Sequence, residues 1–344
     1  MRVARHVMSL GAPAALTLGI AALALISLDF WPDGDAGSAR AEIQADPDMR
    51  GEVPDEGPPP FPIEGLYKDR PEDSEPSPTM PTTPSAAPPV DTSASFVAVY
   101  NVSLGRFNLG NFSISGTVRD GQYNLRGSGT FSVLKGWVFN WQGSLGGAGA
   151  ATTAGPNPTT YSFSQTDGKY SERLRISFGD GFVQSVRIWP KPRPYPGEIK
   201  VTKEQVQHVV DPLSGAFLTA RSANPHGDLS VCDQVIPIFD GRSRYDLVLT
   251  PKKRVMVQNR GAGSYTGPAA VCRVKFVPIS GYPRGDPGIE QLRQANGIEA
   301  WMVPLQGTDM YVPYRIVIPA FGGYTAVAVM MSLRVGRAGR AEAR

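Results

Sequence analysis

This sequence predicts a mainly β protein: one large antiparallel curled sheet or barrel, with one or two short helices, behind an N-terminal signal or anchor helix and a disordered linker. Three observations predict it. From Phe96 onward, apolar and polar residues alternate in strand-length units, which is the period of a sheet with one buried face. Asp-Gly steps punctuate those units at Arg119–Gln122, Thr166–Lys169 and Gly179–Phe182; Asp-Gly accepts the positive φ of a tight primed hairpin turn. No helix-period stretch of any length precedes Lys200.

The elements follow in chain order. Residues 1–41 read as a signal peptide or an uncleaved membrane anchor. Arg2 and Arg5 precede Val7–Leu28, a run of 22 uncharged residues, long enough to span a bilayer. The small-residue pattern at Ala39–Ala41 fits signal-peptidase cleavage. Cut or uncut, the positive end stays inside and the rest is exported to the periplasm or cell envelope. No cysteine lies near the segment, which argues against a lipid-modified N-terminus.

Residues 42–94 read as an acidic, proline-rich linker. Ala41–Asp91 carries 13 prolines, 3 basic and 12 acidic residues, a net of −9. Such a chain buries too little apolar surface to offset its ordering entropy. At roughly 3.1 Å per residue in polyproline form it reaches on the order of 150 Å at full stretch.

Residues 95–335 form the antiparallel β domain, and 336–344 a basic tail. The strands begin in "FVAVYNVSLGRFNLGNFSISG", continue through "RLRISFG" and "FVQSVRIWP", and return in "AVCRVKFVPI", "GIEAWMVPL", "MYVPYRIVIPA" and "YTAVAVMMSLRV". A sheet of this many strands must curl or close to hide its edges. Two helices interrupt it. Val210–Ala220 has Asp211 as N-cap, Pro212 as first helical residue, and Leu213, Phe217 and Leu218 on one face. Asp286–Gly297 repeats the Asp-Pro start and adds a Gly stop, as a helix or as a turn within a loop.

The stretch "VCDQVIPIFDGRSRYDLVL", Val231–Leu249, reads as a hairpin about Asp240-Gly241. A two-residue turn pairs Phe239 with Arg242, Ile238 with Ser243, Ile236 with Tyr245 and Gln234 with Leu247. Cys232, Ile236, Ile238, Tyr245, Leu247 and Leu249 then share the apolar face, opposite Asp233, Val235, Phe239, Arg242, Arg244 and Asp246. Pro237 removes a ladder donor and points to an edge strand or a bulge. Cys272 lies on the apolar face of its own strand, with Val274 and Phe276. In an oxidising compartment a Cys232–Cys272 disulfide follows. The alternative is a redox-active or metal-bound pair, but no CxxC spacing and no histidine set supports it.

Residues 95–344 carry 28 basic and 16 acidic residues, a net of +12. That balance favours anionic partners, and export makes envelope lipid or anionic glycan the expected class, with no nucleic acid. Arg242, Arg244, Lys252, Lys253 and Arg254 concentrate positive charge around one hairpin. They are either a solvated face or a phosphate or carboxylate contact, and Arg244 has Asp240 or Asp246 as an alternative internal partner. Trp137 and Trp141, spaced by two with Phe139, form either core or the wall of an apolar pocket or rim. The three histidines are His6, His208 and His226. With no GxSxG elbow they do not build a hydrolase, and no metal-ligand set or cofactor motif stands out.

The segments "VDPLSGAFL", "CDQVIPIFDGRSRYDLVL", "GPAAVCRVKFVPISGY" and "VPYRIVIP", with the opening "YNVSLGRFNLGNFSISG", resemble the bacterial envelope family called domain of unknown function 3108. The resemblance spans about Phe96–Val335 and falls on Asp211, Pro212, Cys232, Asp240, Gly241, Arg244, Tyr245, Cys272 and Pro313. It implies an exported, mainly antiparallel β protein without an assigned activity. By fold analogy alone, a curled sheet with a helix at its mouth is similar to periplasmic lipoprotein carriers. The function expected is therefore non-enzymatic binding of a hydrophobic or amphipathic envelope ligand. The alternatives are a structural or interaction module contacting anionic glycan or a partner protein, and, last, a hydrolase built on Asp211, Asp240 and Arg244.

Overall fold

The structure, a computed structural model, describes residues 94–336 apart from 134–138, 153, 220–227, 260 and 262. The expected export segment, linker and tail lie outside the described residues, as do Trp137 and His226. Among the described residues fourteen strands form one antiparallel sheet, and they divide into two meanders. The first runs β1 (Ala94–Leu104), β2 (Phe107–Arg119), β3 (Gln122–Val133), β4 (Phe139–Thr152), β5 (Gly155–Thr166), β6 (Ser171–Gly179) and β7 (Phe182–Trp189). After α1 (Pro212–Gly215) and the two-residue β8 (Leu218–Thr219), the second runs β9 (Gln234–Phe239), β10 (Arg244–Val257) and β11 (Gly267–Ser280). It continues through α2 (Pro287–Gln294), β12 (Glu299–Pro304), β13 (Met310–Pro319) and β14 (Thr325–Gly336). The spatial order is β7-β6-β5-β4-β3-β2-β1-β14-β13-β12-β11-β10-β9, with β8 paired to β13. The two meanders are thus sewn together in mid-sheet by β1 and β14.

The edges β7 and β9 share no ladder. A short strap, residues 207–210, bridges them. The His208 amide donates to the Gly181 carbonyl at 2.7 Å, and Gln207 pairs with Phe182. Val210 lies parallel to Ile238: its amide donates to Pro237 O at 2.8 Å, and the Phe239 amide donates to Val210 O at 3.0 Å. Pro237 therefore sits on an edge strand, where its own carbonyl and the Phe239 amide are taken by the strap. An ion pair reinforces the seam, Arg242 Nη2 to Glu172 Oε2 at 2.6 Å, from the β9–β10 loop to β6. The sheet thus curls into a barrel whose two edges are bridged by the strap over part of their length.

Turn chemistry separates the hairpins into two kinds. At Asp120-Gly121 both φ values are positive (50° and 70°), and at Asp180-Gly181 likewise (53° and 78°), as a two-residue primed turn requires. At Asp167 and Asp240 the carboxylate instead folds over a four-residue loop. Asp167 Oδ1 accepts from the amides of Lys169 and Tyr170 at 2.8 and 2.7 Å. Asp240 Oδ1 accepts from those of Arg242 and Ser243 at 2.8 and 2.6 Å. The expected two-residue turn at Asp240-Gly241 is therefore wrong. Phe239 pairs with Arg244, Ile238 with Tyr245 and Ile236 with Leu247. Gly241 (φ 97°) lies so close to β6 that a Cβ there would sit 2.4 Å from Leu174 Cδ1.

The interior is filled from both walls. Phe96, Phe112, Phe131, Trp141, Tyr161 and Phe163 point inward from the first meander. Glycines beside them leave room: a Cβ at Gly127 would be 2.6 Å from the Phe112 ring, and one at Gly143, two residues on in the same strand, would be 2.3 Å from that of Trp141. Ile236, Ile238, Tyr245, Leu247, Leu249, Val274 and Phe276 line the second wall. Between them sits α1, in contact with β4, β5 and β9. It is one turn long, not the helix expected over Val210–Ala220. Leu218–Thr219 leave it to pair with Met310–Tyr311 of β13, so Phe217 packs on Phe96 (5.5 Å between centroids) while Leu218 enters the other cluster. The second helix is real: Asp286 caps α2 through the Ile289 amide at 2.9 Å, with Ile289 and Leu292 buried.

Cys232 and Cys272 are joined as expected, with Cα atoms 5.1 Å apart. They do not come from neighbouring strands. Cys232 ends a 3-10 turn (Leu229–Cys232) ahead of β9 that packs on β10 and β11, and Cys272 lies in β11. The bond staples the lead-in of an edge strand to the sheet interior. Both residues are fully buried.

Candidate functional site

The residues singled out in the sequence fall into three places. The first is the inside of the seam. Asp211, fully buried, accepts through Oδ1 from the amides of Leu213 and Ser214 at 3.0 and 2.9 Å. The Ser214 hydroxyl donates to its Oδ2 at 2.5 Å and accepts from the Tyr123 hydroxyl at 2.8 Å. Burial pushes the Asp211 carboxyl up to about 6, against the pull of those hydrogen bonds. Asp240 is likewise raised to about 6 by burial, against the Ser243 and Arg242 amides and the Arg242 charge. Its Oδ2 and the buried Tyr245 hydroxyl have no hydrogen-bond partner among the described residues. Pro212 opens the single turn of α1. The carbonyl of Pro313 accepts from the Tyr100 hydroxyl at 2.7 Å, tying β1 to β13 across β14. Ser214 and Asp211 touch, but their bonding capacity goes to capping α1 and to Tyr123. His208 sits on the strap beside Phe182, 6.2 Å between rings, and is not among the partners of Ser214.

The second place is β10. Arg242 is engaged by Glu172. Arg244, buried, donates to Asp246 Oδ1 at 2.6 Å and to the Gln205 carbonyl at 2.8 Å. Lys252 pairs with Glu299, while Lys253 and Arg254 are exposed. Lys252 lies about 27 Å further along the strand than Arg244 at roughly 3.4 Å per residue, so the five cations make two separate groups. Beside α1 an apolar pocket of about 50 Å³ is lined by Leu218, Ile236, Leu247, Leu249, Val274 and Met302, with Glu299 in its wall. Trp141 is core: it stacks on Phe131 (5.2 Å between centroids) and donates Nε1–H to Gln165 Oε1 at 2.8 Å.

The third place went unmarked in the sequence. A trough of about 710 Å³, its lining shared about evenly between polar and apolar surface, crosses the outside of β1–β6. Its floor is built from register-matched rows. Ser113 pairs with Ser128, Ser128 with Ser144, Ser144 with Ser164, and Ser164 with Arg173. One step along, Asn111, Thr130, Gln142, Thr166 and Ser171 form a second row. The signal was present: the solvent side of "NFSISG", "GSGTF" and "SFSQT" is hydroxyl and amide rather than charged.

The model of the family described as protein of unknown function (DUF3108) matches residues 99–329. No curated protein matches the chain. Among solved structures, a β-barrel-like protein of domain of unknown function DUF1849 from Brucella abortus is similar at 8% identity and TM-score 0.42, over 72% of this chain and 98% of that one. A second, described as "a putative lipoprotein" from Parabacteroides distasonis, is similar at 10% identity and TM-score 0.27, over 72% of this chain and 97% of that one.

Proposed function

The chain belongs to the DUF3108 family, and from that premise we propose an exported, non-catalytic interaction module of the cell envelope whose trough receives an extended, hydroxyl-rich glycan. The observation that carries this is the unbroken pair of polar rows across β2–β6. Hydroxyl and amide side chains at strand spacing, roughly 4.8 Å apart, offer repeated donors and acceptors to a repeating polyol. The filled interior agrees with it: α1 and inward aromatic rings occupy the lumen, and the described pocket beside α1 is about 50 Å³ against about 710 Å³ for the trough. Ser214 and Asp211 serve as a buried cap, which favours binding over hydrolysis.

The test is co-sedimentation of the full chain with isolated cell-wall glycan. Ser144→Trp places an indole in the middle of the floor. Retention at least tenfold weaker than wild type is expected, with an unchanged melting curve. Equal retention of the two proteins overturns the reading. An amphipathic ligand in the lumen is the second reading, favoured by the apolar wall of the pocket beside α1. Lipid carried through native mass spectrometry, and lost on filling that pocket with Ala300→Leu, would replace the first with it.

A further inference from the structure

Arg175 of β6 lies directly opposite Arg187 of β7, and the adjacent pair in the same ladder is Arg173 opposite Trp189. These four share the outer face, because Leu174, Ile176, Val186 and Ile188 turn inward to the core. Two like charges directly opposite in a ladder repel, and a third stands one pleat repeat away. Among the described residues no ion pair neutralises them. Their neighbours on β5 are Ser162 and Ser164, and Glu172, the acid between Ser171 and Arg173, points inward to Arg242. The ion pairs of the described residues leave all three arginines out. The strap covers β7 only at its start, at Phe182, so its far end stays open. Trp189 is 55% exposed there, although an indole at a sheet edge is ordinarily covered.

We infer that this end of β6 and β7 is a binding subsite for a phosphoryl group carried on a sugar. Three planar guanidinium forks match a dianion with three terminal oxygens, whereas one fork saturates a carboxylate. The flat indole beside them offers a face to the sugar ring. Arg173 also belongs to the trough wall, so the subsite terminates the trough. The inference rests on the glycan reading for its place in a longer ligand, and on the β6–β7 pairing alone for its chemistry.

Tryptophan emission of the full chain is titrated with glucose 6-phosphate, glucuronate and glucose, with Trp189→Phe to identify the signal. Glucose 6-phosphate is expected to bind at least tenfold tighter than either other sugar, and added salt to weaken it. Arg175→Gln/Arg187→Gln is expected to abolish that preference, and Arg187→Lys, which keeps charge but loses the fork, to reduce it severalfold. Glycan co-sedimentation is a separate assay that uses no sugar phosphate, so its failure leaves the sugar-phosphate titration standing and the two readings fail separately. Equal binding of phosphate sugar and glucose, or equal binding of phosphate sugar and glucuronate, overturns the inference. Sedimentation with phosphatidic acid vesicles in the absence of sugar-phosphate binding also overturns it, in favour of a membrane surface.

Discussion

Replacing both cysteines with alanine tests the architecture most directly. The Cys232–Cys272 bond closes a loop of 40 residues. In the chain-entropy model such a closure removes about 13 cal/mol/K from the unfolded chain, or about 4 kcal/mol at 25 °C. With a urea slope of about 2.5 kcal/mol/M, the unfolding midpoint should fall by about 1.6 M. The bond also has a place as well as a size. It ties the turn before β9 to β11, and β9 is an edge strand held otherwise by β10 and the strap. Hydrogen exchange of the β9 amides should therefore accelerate more than that of β1, in the middle of the sheet. The measurement is urea unfolding followed by circular dichroism, paired with exchange mass spectrometry. A midpoint shift below about 0.4 M, equivalent to about 1 kcal/mol at that slope, or equal acceleration in β9 and β1, refutes the reasoning.

Three further outcomes are expected. Asp211 and Asp240 are both raised from 3.8 to about 6 by burial, so between those pH values the folded chain holds more protons than the unfolded one. Their contribution makes stability fall as pH rises from about 4 to about 6, by on the order of 3 kcal/mol each; Asp240→Asn should flatten that slope in urea melts at stepped pH, and an unchanged slope counts against it. Tyr245→Phe removes a buried hydroxyl that has no partner, and should be neutral or stabilising by up to about 1 kcal/mol; a loss above that in thermal melts would reveal an interaction of that hydroxyl. Gly143→Ala drives a methyl into the Trp141 ring and should cost about 1–3 kcal/mol with altered tryptophan emission, whereas Gly155→Ala, in open space but at φ 129°, should cost through backbone strain without that emission change.

The strands were legible because alternation is a local consequence of burying one face. The register at Asp240 was not, for a related reason. A slip of two residues returns every side chain to its original face, so alternation reads a two-residue and a four-residue turn identically. What decides is whether the aspartate adopts positive φ, as Asp120 does, or folds its carboxylate over the loop, as Asp240 does. The short α1 escaped because its capping signals are real while its stop is tertiary: β13 captures Leu218–Thr219. Phe239 and Arg244 were assigned to a solvated face, yet the strap and the Gln205 carbonyl cover them. A segment that bridges two edges by isolated pairs has no periodicity to read. The trough went unseen because serine and threonine on a strand's outer side carry no charge pattern; only cross-strand register lines them into rows.

The junction of β1 with β14 has a geometric consequence. Ser95 stands opposite Gly336, so the chain enters and leaves the barrel at one point on its circumference. With seven strands on one side of that point and six on the other, it lies diametrically across from the strap. Whatever precedes Ser95 and whatever follows Gly336 therefore join the barrel at the same corner, on the side opposite the closure between β7 and β9.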